Sequence, residues 1–296
     1  EYPVHTITNG IVTAQIYLPD QDKGFYRATR FDWSGIIGSL IYQGIDYFGQ
    51  WYSKHNPRVN DAISGPVEEF NEIGYECIED EDEFLKIGIG GLRKSNNEQY
   101  DRFKLYEIIN PGEWIVERTG RKVIFRHLIK DVSGYSYCYT KCVELTVGIP
   151  ELLITHTLKN TGRKVIKTKV YNHNFLTIGH LFTDSNVVVT FPENIVKSIS
   201  DNKNRILNID KNRVGFTRAI FPNESVMVMN INDNPVAGSI IVENEKLKAG
   251  VEITSDARYS TIHFWASERT CCPELILILN CFLGRRLTGV LNMFFM

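Results

Sequence analysis

His173 sits in the run Val170-Tyr171-Asn172-His173-Asn174-Phe175, mid-strand by pattern and flanked by two asparagines. Side chains alternate along a strand, so Tyr171, His173 and Phe175 should share one face and Asn172 and Asn174 the other. A free imidazole has a pKa of about 6.5 and can take or give a proton near neutral pH. Held on a rigid strand beside an aromatic ring, it could exchange protons with a sugar. The plainer alternative is a hydrogen-bonded structural histidine.

Three other stretches combine residues of chemical interest. In Tyr26-Arg27-Ala28-Thr29-Arg30-Phe31-Asp32-Trp33-Ser34-Gly35, an extended backbone would put Arg30 and Asp32 on one face. Arginine offers a rigid fork of donors and aspartate accepts, a pairing suited to sugar hydroxyls or to an ordinary surface ion pair. Gly65-Pro66-Val67-Glu68-Glu69-Phe70 carries two carboxylates after a rigid turn, ordinarily a solvated pair. The run Trp265 to Glu274 should end a strand with acids at Glu268 and Glu274. Trp33 and Trp265 could stack on a pyranose, although core packing is the more ordinary use of either.

The elements that must position these residues read as strands. Alternation, or β-branched and aromatic enrichment, marks 11–18, 35–42, 84–89, 103–109, 114–117, 122–129, 136–147 and 152–158. The second half continues at 165–176, 186–190, 225–231, 238–242, 247–253, 261–266 and 275–282. Turn signals lie between, among them Asn160-Thr161-Gly162, which predicts a hairpin joining 152–158 to 165–176, and Asn232-Asp233-Asn234-Pro235. Helical periodicity is absent over any window longer than two turns. The expected class is all-β, with stacked antiparallel sheets. The charged stretch 200–213 reads as a loop excursion, and no linker divides the 296 residues, so a single domain over 1–296 is expected.

Composition narrows the function. A formal net charge of -2, from 33 basic and 35 acidic residues, gives no electrostatic case for nucleic acid or an anionic membrane. The 11% aromatic content suits both strands and a sugar cleft. None of the six cysteines forms a Cys-x-x-Cys pair, and they read as free or buried thiols. The seven histidines show no metal-binding spacing, so no metal is expected. No apolar run is long enough for a spanning helix. No signal peptide is legible, and the compartment stays open between cytoplasm and periplasm.

Taken together, these stretches resemble the aldose 1-epimerase (galactose mutarotase-like) superfamily, most closely bacterial members with a Tyr-Arg-x-Thr-Arg-Phe-Asp-Trp-Ser-Gly opening. The most specific part is Leu158-Lys159-Asn160-Thr161-Gly162 followed by Tyr171-Asn172-His173-Asn174-Phe175. It is similar to the family's Asn-x-Gly turn and Asn-His-x-x-Phe segment, with the phenylalanine one residue sooner here. The resemblance implies a β-supersandwich of large, mostly antiparallel sheets with an open sugar cleft. It implies a cofactor-free, metal-free isomerase that interconverts sugar anomers. His173 would be the acid that protonates the ring oxygen. A late glutamate would be the base, with Glu274 first and Glu268 in reserve, on opposite sides of a sugar-sized gap. Arg30, Asp32, Glu69, Lys86, His127 and Asn172 would line the polar rim. The expected partner is a small sugar or oligosaccharide, and the expected state a monomer or weak dimer. Two alternatives stay open: a carbohydrate-binding protein without turnover, and a polysaccharide lyase or hydrolase on the same fold using Glu68 or Glu69 with Glu274. The early Asn-Arg and Gly-x-x-His-Gly-Gly motifs of true galactose mutarotases are missing. The segment 280–287 stands where that family usually has Pro-Gly-Glu followed by a closing strand, and the end 287–296 is unusually apolar for a solvent-exposed terminus.

Overall fold

The structure, a computed structural model, describes every residue except 96–97, 196–198, 202–204 and 233. Asp233 of the expected 232–235 turn therefore lies outside the described residues. Among the described residues two large antiparallel sheets face each other, one of ten strands and one of six. Two smaller sheets of four and three strands flank them. Alternating apolar residues explain the pairing: Leu152, Ile154, Val251, Ile253, Leu291 and Met293 of the large sheet pack against Val226, Val228, Ile262 and Phe264 of the six-stranded one. Fully burying one such side chain is worth about 1.5–3 kcal/mol, so this shared core dominates the sandwich.

The C-terminal stretch is explained by position. Strand Arg286–Phe295 lies inside the ten-stranded sheet, between Glu151–Asn160 and Ala249–Ser255. Its apolar composition belongs to a strand that packs on the core.

Three expectations need correction. Strands Glu151–Asn160 and Ile166–His173 are not a hairpin: the first pairs within the ten-stranded sheet and the second within the six-stranded one. The turn itself forms, with Asn160 Oδ1 accepting from the Gly162 amide at 3.0 Å. However, the amides of Thr161 and Arg163 bond Ser136 and Gly134, which turns the chain across the sandwich. Both strands have an apolar face, so sequence cannot say whether they share a sheet. Next, the stretch 103–109 is mostly loop, since only Ile108–Asn110 pairs. Finally, the 200–213 excursion holds part of a real ladder. Leu207–Asp210 pairs with Arg213–Phe216 at the end of the ten-stranded sheet.

Candidate active site

Three adjacent strands of the six-stranded sheet build the site: Thr270–Cys281, Ile166–His173 and Val67–Phe70. Register sets which residues meet. His173 lies opposite Glu274, and Tyr171 lies opposite Glu69. Directly paired residues share a face, so Glu69, Tyr171, His173 and Glu274 project to the outside of the sandwich. The intervening Glu68, Asn172 and Leu275, also register partners, project inward between the sheets.

On the outer face His173 Nε2 stands 3.3 Å from Glu274 Oε1. Glu69 is the hub beside them. It takes Arg30 Nε at 2.7 Å, lies 3.4 Å from Arg102 Nε, and accepts the Tyr171 hydroxyl. Arg30 also donates to the Tyr171 oxygen at 3.1 Å and pairs with Asp61. Lys86, fully buried, donates to the Arg30 carbonyl and to the Tyr100 hydroxyl, both at 2.9 Å. His173 and Glu274 are only 4% and 6% exposed. The more open members are Asp61 and Arg102, with side chains 46% and 41% exposed.

Aromatic rings hold the imidazole. Phe175 stacks on it with centroids 3.8 Å apart, and Trp51 stacks on the far side of Phe175. Phe31 and Trp265 meet it edge-on. Phe175 reaches this position with φ at 33°, an uncommon backbone state for a bulky residue. Among the described residues His173 Nδ1 is buried without a partner, so its polar contact in the site is made through Nε2.

Burial dominates the electrostatics. It pushes the Glu274 carboxyl up to about 7; the Glu69 charge adds to this, and Arg30 and Arg102 oppose it. Burial holds the His173 imidazole well below its usual value, and the two arginines push the same way. For Glu69 burial acts upward, but Lys86, Arg30 and Arg102 outweigh it and keep the group an anion. Burial lowers Lys86 to about 8, with Glu69 opposing. Near neutral pH the pair therefore offers an uncharged imidazole beside a carboxyl close to half protonation.

Several expected residues lie elsewhere. Arg30 and Asp32 do not share a cluster, because the segment between them is irregular rather than extended. Asp32 turns to Ser34 and to the Tyr139 hydroxyl at 3.0 Å, where burial raises it to about 6. Asn172 faces inward and donates to Glu68 at 2.6 Å. His127 is a core residue: it stacks on Trp114, and its nitrogens meet Tyr137 Oη and the Pro111 carbonyl at 2.8 and 2.9 Å. Burial lowers its pKa to about 4. Glu268 sits in the turn between Thr261–Ser267 and Thr270–Cys281, beside Arg269 and removed from His173. Trp33 is in the core, its indole nitrogen on the Ala28 carbonyl. The expected solvated pair Glu68-Glu69 is wholly buried.

Sequence reasoning missed Arg102, Tyr171 and His263. Arg102 lies in a turn one residue before the stretch 103–109, outside every strand the pattern marks. Tyr171 had a signal, its shared face with His173. His263 lies opposite Glu274 on the strand beyond it, so two histidines flank that acid in register. The alternation of 261–266 held that signal.

No protein-family model and no curated protein sequence matches the chain. Solved structures do. A galactose mutarotase-like protein from Clostridium acetobutylicum is 13% identical, with 100% of this chain and 96% of that one covered at a TM-score of 0.59. Another from Lactobacillus casei is 12% identical, covering 99% and 100% at 0.59. A GalM/aldose epimerase homologue from C. elegans is 12% identical, covering 100% and 99% at 0.55. The chain has the galactose mutarotase-like fold.

Proposed function

We propose that this protein interconverts the anomers of a free or modified sugar, with His173 and Glu274 moving the protons. The observation that carries this reading is the facing pair itself, 3.3 Å apart on neighbouring strands and bordered by the Arg30–Glu69–Tyr171–Arg102 cluster. The names of the fold neighbours support the sugar class.

The chemistry needs one proton given to the ring oxygen and one taken from the anomeric hydroxyl. The ring C–O bond breaks as the carbonyl forms, the aldehyde rotates, and the ring closes on its other face. One positioned acid and one base each contribute typically 10²–10⁴-fold. The environments favour Glu274 as the group holding the proton at the start and neutral His173 Nε2 as the acceptor. That reverses the roles implied by the family resemblance. Arg30, Arg102 and Asp61 offer hydrogen-bonding groups for the remaining hydroxyls.

A second reading is a sugar-binding protein without turnover. The direct His173–Glu274 contact favours it, since the two groups touch where a sugar-sized gap was expected. A two-carboxylate hydrolase is less well supported, because Glu68 faces the interior and Glu69 is engaged by two arginines and a tyrosine. The test is exchange NMR between anomers over a panel of aldoses, with wild type and His173→Gln. Accelerated exchange in wild type alone supports the enzyme. Binding with no acceleration for any sugar turns the assignment to the binder.

A further inference from the structure

Behind the strands that carry His173 and Glu274, between the two large sheets, lies a cavity of about 330 Å³. Its walls are apolar, with Leu158 and Leu291 from one sheet and Leu275 and Leu277 from the other. Polar side chains join them: Glu68, His156 and Asn172 meet at one part, and Ser255, Ser260 and Thr288 also line it. Exposed Arg258 and Ile278 line it where it reaches solvent. Protein interiors rarely leave voids larger than a water, so an opening this large needs a reason.

Gly289 is the first pointer. It lies inside strand Arg286–Phe295 and lines the cavity. A Cβ there would meet nothing within 4 Å, and its φ is outside the left-handed region. Neither a turn nor a close backbone approach calls for glycine at this position. It stands opposite His156 in register, so a larger side chain would project on the same face as that cavity-lining ring. The missing side chain is therefore room in the cavity.

Tyr259 is the second pointer. It also lines the cavity, is 1% exposed, and its hydroxyl has no hydrogen-bond partner among the described residues. A buried hydroxyl left unpaired is costly, and a bound group could satisfy it. The charge at the polar part is already compensated. Lys141 and His156 both contact Glu68, and they outweigh burial to hold that acid down at about 2. Nothing there calls for a second ion.

We propose that this cavity binds a small, uncharged, largely apolar molecule bearing a hydroxyl group, which pairs with Tyr259. An apolar cavity of roughly 150 Å³ accepts benzene, so about twice that volume suits two fused rings. A sugar is excluded here, because its many hydroxyls would face leucines. The site is separate from the His173–Glu274 face and does not depend on any activity there.

The test is a fluorescence titration of the full chain with naphthol, with naphthalene and naphthoate as comparators. Saturable one-to-one binding of naphthol is expected, with naphthoate weaker by at least about tenfold because its charge would be buried among leucines. Gly289→Phe should weaken binding about 100-fold or more while the melting temperature holds or rises, and Gly289→Ala should retain it. Tyr259→Phe should weaken naphthol about 5–10-fold and leave naphthalene unchanged, the size of one lost hydrogen bond. Absence of saturation, naphthoate binding as tight as naphthol, or undiminished binding in folded Gly289→Phe overturns the proposal. If Gly289→Phe fails to fold, an unchanged naphthol affinity in Tyr259→Phe overturns it instead.

Discussion

Glu68 and Glu69 are consecutive residues, yet they belong to different buried clusters on opposite faces of one four-residue strand. Glu68 holds Lys141, His156 and Asn172 between the sheets. Glu69 holds Arg30, Tyr171 and Arg102 on the outside. A single strand layer thus separates the candidate active site from the inter-sheet cavity.

Ion pairs this deep are costly to break, because removing one partner strands the other charge without solvent. Arg30→Met should destabilise the fold by roughly 3–5 kcal/mol. Adding Glu69→Gln should recover much of that loss. Urea denaturation of the single and double variants checks it, and a double no more stable than the single would contradict the account. Lys141→Met, with and without Glu68→Gln, should behave alike on the inner face.

Glu274 makes stability depend on pH. Its carboxyl rises from an ordinary 4.5 to about 7 in the folded state because burial disfavours the charge. The favourable contribution is complete below about pH 4.5 and is lost as pH climbs through 7, since the folded state must then hold a buried anion. The window spans roughly 3 kcal/mol. Glu274→Gln should remove this dependence and be the more stable form at pH 8. Denaturation of both proteins at pH 5 and 8 measures it; parallel pH responses would count against the buried-acid account.

The same group sets the expected pH profile of anomer exchange. With Glu274 as the proton holder, the rate should fall as pH rises past about 7. A rate that instead falls on acidification through that value would return the base role to Glu274. Exchange NMR from pH 5.5 to 8.5 separates the two.

His127 offers a control. Both ring nitrogens are occupied and its face lies on Trp114, so His127→Ala should cost about 2 kcal/mol or more in stability. Exchange per folded molecule should be unchanged. A selective loss of exchange would put His127 back at the site.

The sequence displayed the strands well and their partners poorly. Period-two alternation identified most strands, because each large sheet buries one face. It could not reveal that Glu151–Asn160 and Ile166–His173 join different sheets, since the same pattern serves a hairpin or a crossing. The facing of His173 and Glu274 was anticipated through motif resemblance; their direct contact was not, because it depends on register. Asp32 and His127 were misplaced for a related reason. A polar side chain among aromatic residues looks alike whether it points to a groove or satisfies a neighbour in the core, on the strand of His127 as on the irregular segment of Asp32.

The position of Arg286–Phe295 between Glu151–Asn160 and Ala249–Ser255 bears on how the chain is made. Ribosomal synthesis delivers this strand after both of its neighbours. Until it arrives, the large sheet exists as two halves, each with an open edge able to recruit other nascent chains. Ribosome stalling or premature termination before residue 286 should leave a product that depends on chaperones and aggregates readily.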